Sequence, residues 1–304
     1  MTDGGAGDRL TKNQRREAAR EKARQLREEQ QKKDRRKKVL LQGGIILGTL
    51  AIVAVVALVI VNSIRPAGPG PQNMLADGIK IEQGLTAVQT PGIKAGEDPT
   101  PFPENEDDEI DVRVYLDYMC PFCGQFEQAN GEQLQTLLEE DAITLEIHPI
   151  SILDRASQGT RYSTRAVAAM GCVAENSPDA FFDVNRAMFE NQPEEATPGL
   201  TNEEISELIS GVEGVENADD IEQCIQDGEF MNWAQDASTR AQNGPIDGTD
   251  EVERLESTPL VLVNGAVYRG APSDAQAFAS FIAEAAGDTF TEESTPTPTP
   301  TPTS

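Results

Sequence analysis

The sequence predicts an α/β domain, a small mixed sheet with helices on its faces and a helical insertion, preceded by a single transmembrane helix. Three observations predict it. An uncharged run, Val39 to Ile64, separates a basic start from an acidic remainder. Strand-like segments flank a long helical block, in the order β-α-β, helices, β-β-α. A Cys-x-x-Cys pair falls where a strand hands over to a helix.

The charge is divided along the chain. The net charge of the 304 residues is −27, yet residues 1–38 hold 14 Lys or Arg against 7 Asp or Glu, and the rest hold 11 against 45. So acidic a remainder argues against nucleic-acid binding, because phosphate contacts need clustered cations. One His excludes a His-rich metal site, and four Cys are too few for a disulfide-packed scaffold of this length.

Residues 1–38 read as a basic cytoplasmic tail. The stretch 9–38 has helix-forming composition but almost no apolar stripe, so it is a solvated tail, with attraction to anionic lipid head groups as the sharper reading. Residues 39–61 form the transmembrane helix: 23 residues at 1.5 Å each give roughly 35 Å, enough to cross a bilayer core of about 30 Å. A cleaved signal peptide is the rival, but its apolar region is about 7–15 residues and ends in small residues, which Asn62-Ser63-Ile64-Arg65 do not supply. Six Lys or Arg between Lys32 and Lys38 precede the span and only Arg65 soon follows it, so the N-terminus is cytoplasmic and the acidic bulk extracytoplasmic. Residues 62–74, with Pro66, Pro69 and Pro71, read as a linker.

The domain is placed at 75–287. Ile79–Ile81 and Thr86–Val88 suggest short strands, and eight acids in 97–111 favour exposed loop. In Ile110–Asp117 the residues Ile110, Val112, Val114 and Leu116 share one face of a strand. Pro121–Leu138 reads as a helix with Phe122, Phe126, Leu134, Leu137 and Leu138 as core positions, and 142–147 as a second strand. The insertion, about 155–250, carries helices around Ala166–Ala174, after Pro178, and at 201–210, 217–227 and 229–242; Trp233 falls in the last as a core residue. Pro259–Val263, the turn Asn264-Gly265 and Ala266–Arg269 form a hairpin, and Pro272–Ala286 a closing helix. Residues 288–304, Thr-Pro-rich, are expected to be disordered.

Cys120-Pro121-Phe122-Cys123 is the motif with chemistry in it. Helix N-terminal N–H groups favour a thiolate, and Pro121 fits a first turn whose N–H groups lack partners anyway. Zinc would need a second pair at ligand spacing, and Cys172 and Cys224 each stand alone, so no metal is expected. If 120 pairs with 123, then Cys172 and Cys224 remain for a structural disulfide in the helical block, two buried free thiols being the alternative. Asp117, three residues before Cys120, is a candidate for proton transfer, or a solvated acid ending its strand. His148, before Pro149, reads as structural.

The run Val114 to Gly124, VYLDYMCPFCG, followed far downstream by Ser257 to Gly265, STPLVLVNG, resembles the DsbA-like thioredoxin family, and most of all its membrane-anchored actinobacterial members. The resemblance spans roughly 75–287 and implies a thioredoxin-like fold. It implies Cys120 as nucleophile, Cys123 as resolving cysteine, Pro259 as a cis proline lining the substrate groove, and Thr258 as a backbone partner for an extended substrate. It further implies an extracytoplasmic thiol–disulfide oxidoreductase of the plasma membrane, which forms disulfides in exported proteins with reduced cysteines. No bound cofactor is needed, and a quinone-linked membrane enzyme, vitamin K epoxide reductase-like or DsbB-like, would reoxidise it. Phe122 stands where strong oxidants of the family carry His, which keeps a reductase or isomerase open. An anchored binding or chaperone module with an incidental dithiol is the rival of a different class.

Overall fold

The structure, a computed structural model, describes residues 68–103, 105 and 109–293, the side chains of 288–293 excepted, together with scattered helical positions between 17 and 53. Most of the 39–61 span, the start of the linker and the tail 294–304 lie outside the described residues. Among the described residues, no helix is long and apolar enough to cross a membrane.

Six strands make one mixed sheet: β1 (Ile79–Glu82), β2 (Thr86–Ala87), β3 (Ile110–Leu116), β4 (Ile143–Pro149), β5 (Leu260–Val263) and β6 (Ala266–Val267), in the order β2-β1-β4-β3-β5-β6. Strands β3 and β4 run parallel, joined by helix α1 (Pro121–Glu139). The remaining pairings are antiparallel. Between β4 and β5 the chain inserts α2 (Tyr162–Asn176), α3 (Phe181–Glu190), α4 (Asn202–Ser210), α5 (Ala218–Asp227) and α6 (Met231–Asn243). Helix α7 (Ala275–Glu293) closes the fold, beginning three residues later than the apolar pattern suggests and running past residue 287. Thr201 starts α4 with a capping box: its hydroxyl accepts from the Glu204 N–H while the Glu204 carboxylate accepts from the Thr201 N–H.

One face of the sheet carries Ile110, Val112, Val114, Leu116, Val261 and Val263 into the main core, where Phe126 of α1 meets Phe278 of α7 edge-on at 5.2 Å. Alternation along β3 leaves Asp111, Arg113 and Tyr115 for the other face, and Arg113 and Tyr115 are buried there as well. The parallel register sets Arg113 opposite Glu146 and Tyr115 opposite His148. Arg113 pairs with Glu146 at 2.8 Å, Glu146 with His148 at 3.2 Å, and the Tyr115 and His148 rings stack at 4.4 Å. Buried charge is tolerated when paired in this way.

Residues 70–74, assigned by sequence to the linker, are fastened to the fold. Gly70 donates to the Ile93 carbonyl at 2.8 Å, Gln72 bonds Glu175 at 2.7 Å through both backbone and side chain, and Met74 is fully buried. Polar side chains reaching the end of α2 override the extended bias of the prolines. The second hairpin strand is also shorter than its pattern, because Tyr268 turns into the core against Phe278 and Phe281. Trp233 is buried, donating to Asp77 at 3.1 Å.

Candidate active site

Cys120 caps the N-terminus of α1, with extended backbone (φ −79°, ψ 115°), and Pro121 follows in the first turn. The Cys120 N–H donates to the Asp117 carbonyl at 2.9 Å, so the chain turns sharply from β3 into the helix. Cys120 and Cys123 are free thiols, 5% and 1% exposed. The two are electrostatically unequal. A hydrogen bond from Cys123 is the main cause that brings the Cys120 thiol down to about 6 against the pull of burial, with Thr258 and the N–H groups of Cys123 and Phe122 adding to it. Burial, then the bond to Cys120, pushes Cys123 well above the ordinary thiol range.

Strand β5 brings the distant motif alongside. The Thr258–Pro259 peptide is cis, and the Cys120 thiol lies 3.3 Å from the Thr258 carbonyl oxygen. A groove of about 1090 Å³ opens here, lined by Cys120, Phe122, Leu153, Arg155, Leu255 and Thr258 among others. Pro259 does not line it; it borders the neighbouring cleft walled by residues 251–257.

Phe122 is not a core residue: it is 59% exposed. The buried face of α1 runs through Cys123, Phe126, Asn130, Leu134 and Leu138, and Phe122 stands roughly 100° away from Cys123 around the helix. Asp117 is not a solvated strand end but fully buried. Its carboxylate accepts from the Met119 N–H at 2.9 Å, the Leu153 N–H at 2.9 Å and the Ser163 hydroxyl at 2.7 Å. Burial outweighs those bonds and raises it to about 6. It thereby pins the start of the insertion beneath Cys120. Cys172 of α2 and Cys224 of α5 form a disulfide, with Cα atoms 5.9 Å apart, and neither lines the groove.

Two residues near the dithiol escape sequence reasoning. Gln192, just past α3, donates through its side-chain amide to the carbonyls of Tyr118 at 3.1 Å and Cys120 at 2.9 Å. Nothing in the local sequence marks it. Glu127 sits one turn beyond Cys123, on the buried face of α1, and burial raises it to about 7 against Asn185 and Arg186. An acid on an apolar helix face is a signal the sequence does carry. Among the described residues, no cluster of three His, Cys, Asp or Glu side chains is placed to hold a metal ion.

A family model described as thioredoxin matches residues 105–284, more than half of the chain. The chain belongs to the thioredoxin family. Among solved structures it is similar to oxidized DsbA of Mycobacterium tuberculosis, at 26% identity and a TM-score of 0.51, over 69% of this chain and 93% of that one. It shares its fold, at 15% identity and a TM-score of 0.51, with oxidised BdbD from Bacillus subtilis, over 73% of this chain and all of the other. It is also similar to the serine/threonine-protein kinase PknE of M. tuberculosis, 31% identical over 134 residues that make up 43% of this chain. The match spans 23% of the length of that curated relative. The domain is DsbA-like in fold, and the Cys120–Cys123 pair is consistent with the dithiol of a thiol–disulfide oxidoreductase.

Proposed function

We propose that the protein is an extracytoplasmic thiol–disulfide oxidoreductase that introduces disulfides into exported proteins, held at the plasma membrane by residues 39–61 with its N-terminus in the cytoplasm. The observation that supports it is the inequality of the pair: Cys120 at about 6 on the groove, Cys123 high and buried behind it. In the oxidised form a substrate thiolate attacks the Cys120 sulfur. The Cys120–Cys123 bond breaks, and Cys123 leaves and takes up a proton. A second substrate thiolate then attacks the substrate sulfur of the mixed disulfide. Cys120 departs as a stabilised thiolate, the substrate gains its disulfide, and the enzyme is left as the dithiol. Thr258 borders the path of an extended substrate past Cys120, Pro259 meets that substrate only where it runs on into the neighbouring cleft, and Asp117 exchanges the proton with Cys123. A quinone-linked membrane enzyme, vitamin K epoxide reductase-like or DsbB-like, restores the disulfide.

The test is oxidation of reduced ribonuclease by the oxidised full-length chain. Cys120→Ala abolishes it; recovery of ribonuclease activity at the wild-type rate by that variant refutes the reading. Phe122 in the dipeptide favours, as the second reading, net reduction or isomerisation. A potential near roughly −270 mV belongs to a reductant and one near −120 mV to a strong oxidant.

A further inference from the structure

We infer that Gln192 and Gly124 form a clamp through which the helical insertion positions the Cys120 nucleophile and sets its reactivity. The inference rests on the thiol–disulfide reading above and deepens it. Gln192 is a positioning residue: it touches the backbone that carries the nucleophile.

The turn between β3 and α1 has few backbone-to-backbone bonds of its own, and the Asp117 carboxylate adds one to the Met119 N–H. Cys120 donates to the Asp117 carbonyl, and the Cys120 carbonyl accepts from Gly124 at a long 3.2 Å. Gln192 supplies what is missing from outside. Its amide nitrogen carries two N–H groups, and it bonds the two carbonyls that bracket Met119, those of Tyr118 and Cys120. One side chain thus ties both ends of the turn that presents the sulfur. The clamp has a firm seat. The Gln192 N–H bonds the Phe189 carbonyl at 3.2 Å, and the Phe189 ring packs against Tyr118 at 5.0 Å.

Gly124 makes the approach possible. It sits inside a regular helix, where glycine is a poorer helix former than alanine. Its φ is not in the left-handed region, so the backbone does not call for glycine. The reason is room: a Cβ at this position would overlap the Gln192 amide oxygen. The last residue of the Cys-Pro-Phe-Cys-Gly run and a residue 68 positions downstream therefore answer to each other.

The clamp acts on ionisation through the N–H dipoles behind Cys120 and through the geometry they hold. The titratable groups next to Cys120 are Cys123 on its own helix and Asp117 at the end of β3, and the charged residues lining the same groove are Arg155, Glu195, Arg254 and Glu256. Gln192 is neutral, so replacing it by leucine changes none of those charges.

The experiment measures the pH midpoint of Cys120 in the reduced full-length chain, from thiolate absorbance and from the rate of iodoacetamide alkylation. The expected result for Gln192→Leu and for Gly124→Ala is a midpoint raised by about half a unit, a roughly threefold loss of thiolate below the midpoint. The double variant is no worse than the worse single one, because both remove the same contact. An unmoved midpoint in a folded Gln192→Leu protein, or additive effects in the double variant, overturns the clamp. Should the leucine variant not fold, Gln192→Met, of similar length, uncharged and without the donors, reads the same loss. Failure of the wild-type protein to oxidise reduced ribonuclease removes the proposed function; an unmoved midpoint removes the clamp alone.

Discussion

The carbonyl oxygen of Thr258 lies 3.3 Å from the sulfur of Cys120, across 138 residues of chain. The antiparallel pairing of β3 with β5 accounts for it: Tyr115 opposite Leu260 sets the ends of the two strands side by side, and each leads directly into one half of the site. The five helices of the insertion lie between the two motifs in sequence, yet the sheet joins them.

The first prediction concerns the redox dependence of stability. In the reduced protein Cys120 is held at about 6 against an ordinary 9.0. A depressed acid contributes stability that is full above the unfolded value and lost as pH falls through the folded one. The reduced form therefore gains on the oxidised form between about pH 6 and 9, by up to about 4 kcal/mol. Asp117 and Glu127 are present in both forms and largely cancel in the difference. Denaturant unfolding of the two forms across this range checks it; a pH-independent gap contradicts the depressed thiol.

Glu127 works in the opposite direction. Burial raises it to about 7, so its contribution is full below about 4.5 and is lost as pH rises through 7. Glu127→Gln is expected to stabilise the protein near pH 8 by up to about 3 kcal/mol and to leave it unchanged near pH 4. Unfolding midpoints at the two pH values decide the matter.

Phe122 offers a separation of stability from function. With 59% of its surface in water, Phe122→Ser is expected to move stability by no more than about 0.5 kcal/mol. As the one large apolar side chain held out in solvent among the described side chains of residues 68–287, it is the natural contact for an unfolded substrate. A several-fold rise in KM for reduced ribonuclease with an unchanged melting temperature is the expected pattern. A lost fold with unchanged KM would return Phe122 to the core.

Asp117→Asn tests the proton step. If Asp117 exchanges the proton with Cys123, the first exchange slows by about 100-fold near neutral pH. A purely architectural Asp117 gives a different result: stability falls by about 1–3 kcal/mol, because an amide N–H₂ then faces donors from Met119, Leu153 or Ser163, while the exchange rate in the folded fraction stays the same. Single-turnover kinetics beside thermal unfolding separates the two.

The strands, the α1 helix and the helical block were legible because their periods of two and 3.6 survive in a single sequence. The dithiol was legible because its spacing is local. Three things were not. Arg113 and Tyr115 alternate with apolar residues as solvent-facing residues do, and only the register of β3 on β4 sets Glu146 and His148 beside them, under a cover that includes Ile246 and Asp247. Phe122 carries the composition of a core residue, and its exposure follows from where the helix starts. Gln192 reaches Cys120 across 72 residues, and a lone glutamine in a loop carries no pattern at all.

The chain holds two cysteine pairs of opposite temperament. Cys172 and Cys224 are 1% and 6% exposed, bridging α2 and α5 inside the insertion, and neither lines the groove through which Cys120 is reached. Exchange needs a thiolate in line with the bond it attacks. In the folded molecule the reactive pair is thus insulated from the inert one, and no turnover of the dithiol can unpick the bridge beside it. The same insulation means that a chain cannot install its own bridge once folded. The Cys172–Cys224 bond is therefore the work of an oxidant other than the chain's own dithiol, and its making is a step separate from the chemistry at Cys120.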